Sequence, residues 1–80
     1  TVKNNTTTGS GGGIHNSGTL NLIRSTVSNN IGLQGGGINS SNASLTAVAN
    51  VVNSTISDNT ATDGGTASLA LGGGIYSMGA

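Results

Sequence analysis

Eighty residues with no cysteine, one histidine, two basic and two acidic side chains and zero formal net charge exclude disulfides, thiolate metal sites and Cys/His zinc sets as the source of stability in so small a chain. That charge balance, with Tyr76 the only aromatic residue, argues against a nucleic-acid or anionic-membrane partner, since either needs a basic patch or stacking platform, and no apolar run approaches the roughly 20 residues that span a bilayer. Gly supplies 15 residues and Asn, Ser and Thr 11 each, yet Pro is absent and Val, Ile and Leu recur at fixed phase, which is unlike a disordered chain.

In chain order, residues 1–5 read as the end of a repeat with Val2 inward, and the polar turn at 6–10 leads into Gly11-Gly12-Gly13-Ile14-His15. A turn at Asn16-Ser17-Gly18 precedes Thr19-Leu20-Asn21-Leu22, whose alternation predicts a strand with Leu20 and Leu22 inward. Arg24-Ser25 makes a corner, Thr26-Val27-Ser28 a short strand with Val27 inward, and Asn29-Asn30 a further turn. The unit restarts at Gly35: Gly-Gly-Gly-Ile recurs at 35–38 and 72–75, and NLIRSTVSNN at 21–30 recurs as NVVNSTISDN at 50–59. A truncated third copy opens the chain, with Thr1-Val2-Lys3-Asn4-Asn5 on Thr26-Val27-Ser28-Asn29-Asn30. Self-similarity of this kind governs the fold.

Each unit offers three short strands separated by corners too short for hairpins, so the economical arrangement pairs each strand in parallel with its counterpart one repeat later, about 4.8 Å along an axis. The prediction is an all-β chain forming a right-handed parallel β-helix of about three coils, open at both ends. It divides into a partial coil at 1–10, a coil at 11–34, a coil with loop insertions at 35–71 and a partial coil at 72–80. The excess length falls at 39–49 and 60–71, outside the ten-residue core, as a solenoid permits. Ile14, Ile38 and Ile75 should stack in one inward row, Val2, Val27 and Ile56 in a second, and Leu22 with Val51 in a third.

The triple glycines allow positive φ and close approach of neighbouring coils. Asn5, Asn30 and Asn59 share one phase, which predicts an Asn ladder with each amide bonding the next coil; the plainer reading is that Gly and Asn mark turns. His15, Asn39 and Tyr76 share the position after Gly-Gly-Gly-Ile and should form an outward row.

Gly-Gly-Gly-Ile followed by apolar-x-x-Asn, as in Val2 to Asn5, Val27 to Asn30 and Ile56 to Asn59, resembles the GGA(I)/FxxN repeats of polymorphic outer-membrane protein passengers, with Val or Ile in place of Phe. It is also similar to the GGGIYNSGTLTLTNSTISGN-type repeats of large bacterial surface proteins. The resemblance covers nearly the whole chain apart from 60–71. It implies the pectate-lyase-like right-handed β-helix superfamily and an extracellular or cell-surface stalk, adhesin or filament.

The search for chemistry yields little. A β-helix lyase or hydrolase needs clustered carboxylates, whereas Asp58 replaces Asn29 at a corner and Asp63 sits in an Asp63-Gly64-Gly65 turn signal. Gly9-Ser10-Gly11-Gly12-Gly13 lacks the following Lys-Ser/Thr of a phosphate cradle. The expectation is no catalytic residue, no metal and no cofactor. Asn-x-Ser/Thr acceptors stand at Asn4, Asn5, Asn39, Asn42 and Asn53, and matter only where the source glycosylates secreted proteins. With no signal peptide and no initiating Met, the chain reads as an interior piece.

The leading functional reading is a structural or adhesive extracellular repeat segment whose partners are copies of itself stacked head to tail or adjoining coils of a longer parent, with any carbohydrate or surface ligand unidentified. A second reading is ice binding through an exposed strip of Thr26, Ser28, Thr55 and Ser57, interrupted by Lys3. A third is a fragment of a polysaccharide-degrading enzyme.

Overall fold

The computed structural model describes residues 1–62 and 72–78, and everything below concerns these residues. They form strands and no helix: β1 (Val2–Lys3), β2 (Ile14–Asn16), β3 (Thr19–Ile23), β4 (Thr26–Ser28), β5 (Ile31–Gly32), β6 (Ile38–Ser41), β7 (Val48–Val52), β8 (Thr55–Ser57), β9 (Thr60–Ala61) and β10 (Ile75–Met78). No strand pairs with its neighbour in sequence. The sheets run β1-β4-β8, β10-β6-β2, β3-β7 and β5-β9, and every pairing is parallel.

Register follows the repeat. Val2 lies opposite Val27 and Val27 opposite Ile56; Ile14 and Ile75 both lie opposite Ile38; Leu22 lies opposite Val51 and Asn21 opposite Asn50. A slip of one residue would turn each inward aliphatic side chain to solvent, so the hydrophobic phase fixes this register. The repeat-to-repeat hydrogen bonds continue through the corners: Arg24 N–H donates to the Val52 carbonyl at 3.0 Å, Ile31 N–H to Asn5 at 2.8 Å and Thr60 N–H to Asn30 at 2.8 Å. The result is thin, 33 × 29 × 13 Å, the short dimension matching three strand layers about 4.8 Å apart.

The unit holds a fourth pairing beyond the three expected strands. β5 and β9 pair through Ile31–Thr60 and Gly32–Ala61, and Thr6 extends the row as a bridge to Ile31. These segments lack an alternating apolar pattern, and backbone bonds alone define them. Ile31 is 37% exposed.

Burial is graded by position in the stack. Val27 and Ile38, each with a repeat on both sides, are wholly buried, and with Leu22 they form the core against which Val2, Ile14, Leu20 and Ile56 pack. Two residues expected inside are instead open: Val51 is 38% and Ile75 42% exposed. Each occupies the last rung of its sheet among the described residues, covered on one side only.

The five extra residues of the second unit lie between β6 and β7, where Asn42 organises the loop. Its Oδ1 accepts from Thr46 N–H and its Nδ2 donates to Thr46 Oγ1 and the Ser17 carbonyl, all at 2.9 Å. Asp63 and most of the expected 60–71 insertion lie outside the described residues.

Candidate functional site

The dominant constructed feature is the set of contacts that joins one repeat to the next. Two backbone devices bring the repeats close. Gly35 has φ +66°, a left-handed conformation that side chains resist. A Cβ on Gly36 would stand 2.6 Å from the Gly73 carbonyl oxygen, so only glycine admits the approach of the neighbouring repeat.

Corners on either side of the β1-β4-β8 sheet use the same left-handed conformation at equal phase. Asn4, Asn29 and Asp58 have φ between 55° and 61°, and Arg24 and Asn53 have φ 46° and 49°. Asn and Asp take this conformation more readily than most residues, which accounts for Asp58 replacing Asn29 without a change of backbone. Asp58 is an exposed corner residue.

The residues that follow Asn4, Asn29 and Asp58 build a ladder. Asn5 N–H and Nδ2 donate to Asn30 Oδ1 at 3.0 and 2.9 Å. Asn30 N–H and Nδ2 donate to Asn59 Oδ1 at 2.9 and 3.0 Å. Each amide also reaches backbone: Asn30 Nδ2 donates to the Val2 carbonyl at 3.2 Å, and Asn59 Nδ2 to the Val27 carbonyl at 3.0 Å. Asn30 is wholly buried. A fully satisfied amide is what makes burial tolerable here.

A second polar cluster escaped the sequence reading. Asn16 Nδ2 donates to Ser40 Oγ and the Val48 carbonyl, both at 2.9 Å, while its Oδ1 accepts from Gly18 N–H at 3.2 Å. Asn16 and Ser40 are both buried. The signal was their shared place two residues after Ile14 and Ile38, masked by the turn-like look of Asn16-Ser17-Gly18. A surface pair, Asn50 Nδ2 to Asn21 Oδ1 at 3.0 Å, was legible in the identical Asn of the two ten-residue copies.

The outward row of His15, Asn39 and Tyr76 needs correction. The three are in register, but Asn39 is only 1% exposed. It occupies the middle rung, flanked by His15 and Tyr76, and its Oδ1 accepts from Ser41 Oγ at 2.7 Å. Its Nδ2 has no partner among the described residues.

On the outer face of β4 and β8, Thr26 is opposite Thr55 and Ser28 opposite Ser57, with Lys3 opposite Ser28. Thr55 is exposed and Thr26, Ser28 and Ser57 are half-buried. Among the described residues there is no cavity, no group of three or more His, Cys, Asp or Glu placed to hold a metal, and no helix long and apolar enough to cross a membrane.

These features define an all-β repeat protein of parallel sheets whose inter-repeat contacts are built from stacked aliphatic and Asn side chains. Residues 1–17 match the Chlamydia polymorphic membrane protein repeat, a stretch holding β1, Asn5 and the first Gly-Gly-Gly-Ile block. No curated protein and no solved structure matches the chain.

Proposed function

We propose that this chain is a segment of a right-handed parallel β-helix that serves as an extracellular stalk or adhesive filament of a bacterial surface protein, with no enzymatic role and no cofactor. One observation carries the reading: residues of like kind stack repeat on repeat through both core and backbone, as in Val2–Val27–Ile56 and Asn5–Asn30–Asn59. A solenoid assembled this way is a length-determining element, because each added repeat extends the axis by one rung without changing the cross-section. The similarity of residues 1–17 to a surface-protein repeat supports the location.

Its partners are then adjoining coils of a longer parent chain or copies stacked end to end. β1 and β8 are edge strands of their sheet among the described residues, and such edges accept a further parallel strand. Light scattering on the 80-residue chain tests this. Growth into filaments with a β-sheet circular-dichroism spectrum, or an unfolded chain that folds when fused to further repeats, is expected. A stable folded species at 7.6 kDa, the mass of the single chain, would overturn it.

The registered pairs Thr26–Thr55 and Ser28–Ser57 favour one second reading, an ice-binding face. Thermal hysteresis that is lost on Thr55→Val would promote it over the stalk. The polysaccharide-enzyme reading would be revived by depolymerisation of an acidic polysaccharide that disappears with Asp58→Ala.

A further inference from the structure

The five Asn-x-Ser/Thr acceptors are chemically alike in sequence and unlike in the fold. Asn39 is 1% exposed and the following Ser40 is wholly buried. Asn42 has its amide committed to Ser17 and Thr46. Asn5 spends its Nδ2 on the ladder and on the Lys3 carbonyl, and Thr7, the hydroxyl residue of its acceptor triplet, has Oγ1 accepting from Gly9 N–H.

Asn5 shares the exposure of Asn53 and Asn4, but these two differ from all three in having an exposed amide that is not committed elsewhere. Both are exposed, both sit at left-handed corners with φ 49° and 61°, and neither side chain has a hydrogen bond among the described residues. The hydroxyl residues of their triplets, Thr55 and Thr6, are exposed as well.

We propose that Asn53 and Asn4 are the two N-glycan acceptor sites of the folded chain, and that their donor is a sugar activated as a phosphate ester of a carrier. In the transfer, Nδ2 attacks the anomeric carbon. A C–N bond forms as the bond from that carbon to the phosphate oxygen breaks, the carrier phosphate departs with the electron pair, and the amide proton passes to a carboxylate of the transferase. Two carriers supply this chemistry, a lipid pyrophosphate and a nucleotide. The two sites flank the β1-β4-β8 sheet from opposite corners, so the glycans would border the outer face carrying Thr26, Thr55, Ser28 and Ser57. The assignment rests on exposure and hydrogen bonding alone, and its failure would leave the stalk reading untouched.

The test incubates the chain in its folded form, as the end-to-end stack or fused to further repeats and verified by its β-sheet circular dichroism, in two arms: a lipid-linked oligosaccharide with a membrane oligosaccharyltransferase, and a nucleotide-activated hexose with a soluble N-glycosyltransferase. Short peptides spanning each of the five triplets are run alongside, and sites are mapped by fragmentation mass spectrometry. In whichever arm modifies the peptides, Asn53 and Asn4 should be modified in the folded chain at rates close to those of their peptides. Asn39 and Asn42 should lag theirs by about a hundredfold or more, because the segment must first open. Asn53→Gln and Thr55→Ala should each remove one addition while Asn4 keeps its own. Comparable transfer to Asn39 or Asn42 in the folded chain, absence of transfer to Asn53 and Asn4 when their peptides react, or failure of every peptide in both arms would overturn the proposal.

Discussion

Asn30 is where the inter-repeat chemistry can be interrogated with one atom. Its side chain makes four hydrogen bonds, two accepted from Asn5 and two donated to Val2 and Asn59. Asn30→Ala deletes all four. The Asn5 donors belong to an exposed residue and regain water, and Asn59 Oδ1 keeps the Asn30 N–H, but the Val2 carbonyl loses its amide partner, so the loss should be about 3 kcal/mol, roughly 1 kcal/mol for each of the two donated bonds plus the cost of the unpaired carbonyl. Against a total of about 4–12 kcal/mol for a chain of this size, that is a shift of roughly 12 °C or more in Tm.

Asn30→Asp is the sharper probe, because it changes the amide nitrogen to an oxygen without changing shape. At pH 7 the new carboxylate oxygen would face the Val2 carbonyl and Asn59 Oδ1, acceptor against acceptor in a buried place. Burial and these neighbours raise the carboxyl pKa in the folded state above its unfolded value near 3.9. A raised acid pKa means the folded chain holds the proton more tightly, so stability is greatest below about pH 3.9 and falls as pH rises toward the folded-state pKa. Urea unfolding of the chain fused to further repeats, followed by circular dichroism, should therefore show Asn30→Asp weaker than Asn30→Ala at pH 7 and partly recovered at pH 3, relative to the same fusion with Asn30 at each pH. Equal stability of Asn30→Asp at the two pH values, or an Asn30→Ala loss under 1 kcal/mol, would refute the reasoning.

Val27→Asp places an unpaired charge at a wholly buried position and should cost several kcal/mol, enough to abolish folding; a soluble, protease-resistant variant would contradict it. Gly36→Ala should lose about 2 kcal/mol or more because its Cβ meets backbone of the adjoining repeat, whereas Gly18→Ala, with nothing within 4 Å, should shift the same urea midpoint by only a few tenths. Leu45 holds φ 57° while 54% exposed, so Leu45→Asn should gain about 0.5 kcal/mol by relieving left-handed strain; a loss of that size in thermal denaturation would count against the strain argument.

The parallel pairing and its register were legible because they rest on recurrence: Val27 and Ile56, or Ile14 and Ile38, stand at equal phase, and in-register stacking buries both at once. The Asn ladder was legible for the same reason. What the residues did not disclose came from context. Ile75 and Val51 carry the same inward phase as buried counterparts, yet their exposure depends on whether a further rung covers them. Asn39 follows an inward Ile and belongs by alternation outside, but the residues flanking it in register close over it. β5 and β9 have no side-chain pattern to announce them, since Ile31, Gly32, Thr60 and Ala61 share a conformation and little else. Asn16 and Ser40 were hidden by the habit of reading Asn-Ser-Gly as solvent-facing turn.

The Asn ladder also has a sense of direction. Each Oδ1 accepts from the repeat before it, and each N–H and Nδ2 donates to the Oδ1 of the repeat after it. Two such stacks brought together by a two-fold axis would set acceptor against acceptor at one junction and donor against donor at the other. A closed symmetric dimer through these faces is thereby disfavoured, while head-to-tail addition satisfies every amide and never closes. Any repeat that joined the stack, from the same chain or another, would have to arrive pointing the same way, so the asymmetry of a single amide would set the polarity of the proposed fibre.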